Sequence, residues 1–205
     1  SLASDRELVA AQRAQSLFIA DNGPVKSKGD MGSISSGNLS KAGVDWSVLG
    51  LSTSDDVVQI SSHSAGGDGV YAITSIGSGA GGNLALSPTP PNGTCSWYIA
   101  RGAKVYTPGS DTLSAWRAQK GFLPVGCTLI ALYRDRILLA ASRDYPHQWY
   151  ACRAGDPYDW DYGADPDDPG RAVSGLTADA GQVGEAIRAL CPVGDDYLVF
   201  GCENS

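Results

Sequence analysis

Short apolar runs broken by turn residues dominate the chain, and few of them have helical spacing. Ser16–Ala20 reads as a strand, followed by a turn at Asp21-Asn-Gly-Pro24. Residues 44–49, 57–62 and 69–76 are short strand candidates, with turns at 54–56 and 66–69 between them. A glycine-rich stretch at 77–83 and a proline cluster at 88–91 interrupt the pattern. Beyond residue 94 the strand signal strengthens, with runs at 95–100, 103–107, 113–118, 127–133, 136–141, 148–153, 186–191 and 197–202. Arg101-Gly102, Pro108–Asp111 and Arg134-Asp135 read as the turns between neighbouring runs. The exception is the N-terminus. Ser4-Asp-Arg-Glu7 fits a capping box and predicts one helix over 4–15. Residues 22–43, rich in Gly, Ser, Lys and Asn, read as a long loop.

Many strands against one short helix predict an all-β fold. The chain falls into a helix and first strand at 1–20, a Gly/Ser-rich irregular β region at 21–94, and a regular strand region at 95–205. A repeat runs through the last region. Ile130-Ala-Leu132 precedes Asp135-Arg-Ile-Leu-Leu-Ala140, and Ile187-Arg-Ala-Leu190 precedes Asp196-Tyr-Leu-Val-Phe-Gly201, with the two aspartates 61 positions apart. Fainter copies stand at 16–20 and 68–72. Repeated small antiparallel sheets that need neighbours to bury both faces predict a β-propeller-like architecture. A β-sandwich is the competing arrangement. The chain supplies about four such units at most. It stops just after Tyr197-Leu-Val-Phe200, so the expectation is an incomplete propeller: a fragment, or a sheet completed by other segments.

Composition adds to this picture. Glycine makes up 26 of 205 residues, which suits a turn-rich chain. The formal charge of −7 repels phosphate and argues against tight nucleic-acid binding, yet allows a wall past which DNA slides. No apolar run approaches the length of a membrane span, and no signal peptide is recognisable at the N-terminus. Cys95, Cys127, Cys152, Cys191 and Cys202 are an odd, scattered set without a C-x-x-C pair. They read as core thiols of a protein assembled in a reducing cytoplasm.

Candidate chemistry is sparse. Gly77-Ser-Gly-Ala-Gly-Gly82 matches G-x-G-x-x-G, but no helix is predicted after it to meet a pyrophosphate. His63 lies among Ser61, Ser62 and Ser64 with Asp68 nearby; no G-x-S-x-G accompanies them, so the segment reads as a surface loop. His147 reads as a loop or packing residue. Asp156, Asp159, Asp161, Asp165, Asp167 and Asp168 crowd one loop, where alternate carboxylates could wrap Ca²⁺, though EF-hand spacing is missing. Trp97, Trp116, Trp149 and Trp160 sit in or beside strands and read as packing residues rather than sugar platforms. No catalytic, cofactor-binding or metal-binding residue is assigned, and the chain is not expected to be an enzyme.

Val105-Tyr106 with Leu113 and Trp116, then Pro124-Val-Gly-Cys127, Tyr133-Arg-Asp-Arg136-Ile-Leu-Leu, Gly155-Asp-Pro157 and Asp159-Trp160, form a recurring cadence over residues 103–205. It resembles the propeller-like hub, or nozzle, proteins of short-tailed bacteriophages. The resemblance implies a structural virion protein in the tail, assembled in the host cytoplasm as a homo-oligomeric ring, often sixfold. Its partners would be an adaptor or fibres and the genomic DNA it holds and conducts. The alternative is a carbohydrate-binding or glycoside-cleaving propeller, with Asp156, Asp159, Asp161 and Trp160 as the residues to watch.

Overall fold

A computed structural model describes residues 8–20, 23–142, 144–175 and 183–204. Among the described residues the regular structure is eighteen strands and two short 3-10 turns, so the fold is all-β. The chain divides into two compact units: Gly23–Gly102, and the residues on either side of it.

The outer unit begins with an antiparallel hairpin of β1 (Val9–Arg13) and β2 (Ser16–Ala20). The helix expected over 4–15 is therefore not found. Residues 4–7 lie outside the described residues, and 9–13 are extended. Ala11 is buried opposite Phe18 while Ala10 and Gln12 are exposed, an alternation that only a strand gives. Packing overrode the local helical preference of Ala-Ala-Gln-Arg.

The inner unit is a closed six-stranded barrel built from β3 (Ser27–Ser35), β4 (Asn38–Ser40), β5 (Asp56–Ser61), β6 (Gly69–Ile76), β7 (Leu84–Ser87) and β8 (Gly93–Arg101). Its strands run in the order β3-β4-β7-β6-β5-β8, and β8 closes back on β3. The loop expected at 22–43 is mostly strand. Its glycines admit a side chain from across the sheet. A Cβ on Gly29 would lie 2.6 Å from the Trp97 ring and one on Gly32 2.9 Å, and the pairing shifts register between them. The strand expected at 44–49 is instead a 3-10 turn at Trp46–Leu49, capped by the Asp45 carboxylate on the Ser47 N–H. Its Trp46 is fully buried in the barrel core with Ile34, Leu39, Val58, Ile60, Ile73, Leu84, Trp97 and Ile99. Alternate residues of β5 and β8 supply most of one wall, as the period of two requires.

The barrel carries a buried charge pair where its chain enters. Lys26 Nζ lies 3.0 Å from Asp56 Oδ2, whose side chain is fully buried. The same oxygen accepts from the Ser52 N–H at 2.7 Å, and Lys26 also donates to the Gly50 carbonyl.

After the barrel the outer unit resumes with β9 (Lys104–Thr107) and β10 (Thr112–Ala115), joined by the turn at 108–111. Arg101-Gly102 is not a hairpin turn: β8 pairs with β3 and β5, whereas β9 pairs with β2 and β10. The first sheet is thus β1-β2-β9-β10, with the whole barrel inserted between hydrogen-bonded neighbours β2 and β9. The connector β11 (Lys120–Gly121) follows, and then β12 (Cys127–Tyr133), β13 (Arg136–Ser142), β14 (Trp149–Ala151), β15 (Asp159–Trp160) and β16 (Val173–Ser174). The second sheet is β12-β13-β14-β16, all antiparallel, while β11 pairs in parallel with β15. A final hairpin joins β17 (Ile187–Val193) to β18 (Tyr197–Cys202). Strand β1 lies beside β12, and β12 beside β17, so the first strands of successive sheets are neighbours.

Breaking a buried ion pair by removing one partner leaves an uncompensated charge. Asp56→Ala is expected to lower the barrel's unfolding free energy by about 3 kcal/mol, read by urea denaturation followed through tryptophan fluorescence. An unchanged midpoint would contradict the role given to this pair.

Candidate assembly surface

The outer unit is held by what lies between its sheets. Phe18 and Ala20 of β2, Val105 of β9, Ile130 of β12, and Ile137 and Leu139 of β13 meet in one core with Trp116, Cys152 and Trp160. Trp116 sits edge-on to Phe18 at 4.8 Å between ring centroids and to Trp160 at 5.6 Å. Both indoles donate to the same carbonyl, Pro157 O, at 3.0 and 2.9 Å, so neither buried N–H is left unpaired. Gly121 lets the connector approach this core. Its φ is +64°, and a Cβ there would fall 2.1 Å from the Trp160 carbonyl oxygen.

Hairpin tips are tied from sheet to sheet. Arg13, at the end of β1, makes a two-point contact with Asp135 (2.8 and 3.1 Å) and donates to the Gly155 carbonyl at 2.7 Å. Asp135 and Arg134 form the two-residue turn of β12–β13, both with positive φ, as the tight hairpin demands. Arg134 Nε in turn donates to the Asp195 carbonyl, and Tyr133 Oη to the Asp196 carbonyl at 3.1 Å, at the tip of β17–β18. The aspartates that mark the sequence repeat, Asp135 and Asp196, are thus both contact points between successive hairpins.

The acidic loop turns out to be a train of local turns. A backbone N–H two residues on donates to Oδ1 of Asp156, Asp159, Asp161, Asp165 and Asp168, at 2.8–3.1 Å. Arg136 fastens the loop by donating to the carbonyls of Cys152, Pro169 and Arg171. Arg153 pairs with Asp168 at 2.6 Å. Among the described residues no three His, Cys, Asp or Glu side chains converge as a metal site. Asp159 and Trp160 are buried, so they do not form a platform open to a sugar.

The other sequence candidates are also absorbed by structure. His63 Nδ1 accepts from the Ala65 N–H at 3.0 Å, and Asp68 accepts from the His63 backbone N–H at 2.7 Å. The imidazole is therefore not oriented by the aspartate as a triad needs, and the ring is buried rather than on a surface loop. Gly77–Gly82 closes the β6–β7 loop through Gly77 N–H to Asn83 O (2.8 Å), and strand β7 follows where a dinucleotide site needs a helix. His147 is exposed. All five cysteines are free. Burial pushes the Cys127 thiol up to about 12 and Cys152 to about 11, so both are inert. Cys191, expected in the core, is exposed because it lies on the open face of the last hairpin.

That open face is the feature that single residues did not reveal. One side of β17–β18, with Ile187, Leu190 and Phe200, packs on Ala140, Ala141, Leu129 and Trp149 of the second sheet. The other side carries Cys191, Val193, Tyr197 and Val199, all exposed, with Tyr197 at 69% and Val199 at 50%. Together these four residues make one face of the hairpin largely nonpolar and exposed. Among the described residues no helix is long and apolar enough to cross a membrane. No family model, curated protein or solved structure matches the chain.

Two outcomes check the loop. Arg136→Met leaves three carbonyls without their shared cation and is expected to cost about 2 kcal/mol, seen as faster proteolysis within 155–171. The Gly170 N–H, followed by the Arg153 guanidinium, holds Asp168 below its ordinary value. A depressed folded pKa gives stability that is present above the ordinary value of about 3.9 and lost as pH falls through the lower one. The Gly170 amide shift should therefore titrate with a midpoint below that value; a midpoint at or above it contradicts the contact.

Proposed function

We propose that the chain is a structural assembly protein, a propeller-like part of a tail hub or nozzle ring of the short-tailed phage kind, which holds and conducts the genome. The observation that carries this reading is the succession β1, β12 and β17. Each is the first strand of a sheet, each lies beside the next, and apolar cores fill the space between consecutive sheets. Propeller blades are arranged in this way around an axis. On this reading the first two sheets are blades, the last hairpin begins a third, and the barrel is a module inserted in the chain between two strands of the first blade.

Several further observations agree with it. The arginines, aspartates and tryptophans that could have made a site are spent on turns, tips and cores. The charge of −7 suits a channel wall along which DNA moves without adhering. The ring would be homo-oligomeric, with an adaptor or fibres as neighbours, in the virion tail. The sugar-binding alternative is weakened, since two of its four residues, Asp159 and Trp160, are covered, while Asp156 and Asp161 are half-buried and accept backbone N–H groups of their own turns.

Electron microscopy of the purified protein, alone and with a portal–adaptor preparation, tests the proposal. Closed rings around a channel are expected, together with no retention of duplex DNA in a gel at physiological salt. Dispersed monomers in both preparations, or saturable binding on a glycan panel, would overturn it.

A further inference from the structure

One buried carboxylate oxygen in the barrel has nothing to hold it. The Asp56 side chain is fully buried, and its Oδ2 accepts from the Ser52 N–H at 2.7 Å and faces Lys26 Nζ at 3.0 Å. Oδ1 is buried too and accepts no hydrogen bond. A buried ion pair repays its desolvation only when the remaining lone pairs are also satisfied. As a permanent ion pair, this one is incomplete.

The surroundings fit a different end state. Asp56 donates its backbone N–H to the Ser52 carbonyl at 3.0 Å while its carboxylate takes the Ser52 N–H, so the turn 52–56 fixes the carboxyl group from two sides. Lys26 is fixed as well: its backbone N–H donates to the Ile99 carbonyl at 2.8 Å, and its Nζ to the Gly50 carbonyl. The two side chains reach each other from either side of β8, which pairs with both β3 and β5. Two reactants held this close in a closed barrel have an effective concentration of up to about 10⁵–10⁸ M. At such a concentration an amine and a carboxyl group can condense although bulk water opposes it. The other lysine pair of this kind is built differently: Lys120 lies 3.6 Å from Asp159 and is 70% exposed.

We infer that Lys26 and Asp56 are the reactants of an intramolecular amide bond, an isopeptide link made inside the barrel without any further reagent. A proton passes from the Lys26 ammonium to the carboxylate and ends on Oδ1. The free Nζ amine then attacks Asp56 Cγ. The negative charge that develops rests on Oδ2, where the Ser52 N–H stabilises it. A second proton moves from Nζ to Oδ1, the Cγ–Oδ1 bond breaks, and Oδ1 departs as water. Nothing is oxidised or reduced. The oxygen without a partner is therefore the one that leaves. The product is satisfied at both ends: its carbonyl keeps the Ser52 N–H, and its remaining N–H keeps the Gly50 carbonyl. The Lys26 side chain is 19% exposed, which gives the released water a way out. The inference concerns the barrel alone and does not depend on the ring.

Mass spectrometry of the whole chain, incubated folded at neutral pH and then denatured, reads the bond. A mass one water below that of the sequence is expected. Trypsin should then leave Lys26 uncut and release a branched fragment in which residues 14–28 are joined to residues 42–101. Fragmentation should place the junction at Lys26 and Asp56. Lys26→Arg keeps a cation beside the carboxylate but removes the amine, so it should retain its full sequence mass. A chain held in urea throughout should also retain it, because the two groups are no longer held together. A folded native chain that stays at the full sequence mass would overturn the inference. So would a loss of water that persists in Lys26→Arg, proceeds equally in urea, or maps elsewhere, such as to Asp68-Gly69.

Discussion

A small β-sheet cannot bury both of its faces by itself, and in the outer unit that constraint is met by one aromatic seam. Trp116 and Trp160 stand edge to face between the first two sheets, and both give their N–H to the Pro157 carbonyl. The shared acceptor matters as much as the ring contact. Two buried indoles with unpaired donors would each cost one to three kilocalories per mole, a large fraction of a domain's net stability. With the carbonyl in place, both rings contribute their apolar area, and Phe18, Ile137 and Leu139 close around them. The position of Pro157 follows from the acidic loop, whose carboxylates at Asp156 and Asp159 accept from backbone N–H groups two residues on and so fix the turns on either side of it.

The tips repeat the same logic in polar form. An arginine from one hairpin reaches the aspartate tip of the next, twice in succession. Exposed ion pairs contribute little each, but a two-point Arg–carboxylate contact fixes orientation. Core and tips together hold successive hairpins in one order. The third hairpin receives such a contact at its tip and packs one face, while its other face stays open. The barrel needs none of this, since closure removes its edges and its own core is complete.

How much of this could be read from sequence depended on range. Hairpin 127–141 was legible, because Arg134-Asp135 between alternating apolar runs is a local signal, and β2 and β6 were legible for the same reason. The repeat was legible too, as Asp135 and Asp196 mark equivalent tips. Strand β1 was misread because Ala and Gln favour helix and only Phe18 across the hairpin decides otherwise. Strand β3 was hidden by Gly29 and Gly32, whose lack of a side chain makes room for Trp97, nearly seventy residues away. Closure of the barrel, and its insertion between β2 and β9, are non-local pairings that no window of sequence contains. The tryptophans pack as their strand positions predict, Trp116 and Trp160 between the sheets and Trp97 in the barrel, where Trp46 of the 3-10 turn joins it. The open face of β17–β18 could not be seen, because strand alternation does not say which face finds a neighbour.

Native-state hydrogen exchange addresses the central claim directly. If the seam makes the first two sheets one cooperative body, the amides of β2 and β9 and those of β12 and β13 open with one common free energy, and Trp160→Phe lowers both sets equally. Two distinct opening energies, with only the second sheet responding to the substitution, would contradict it.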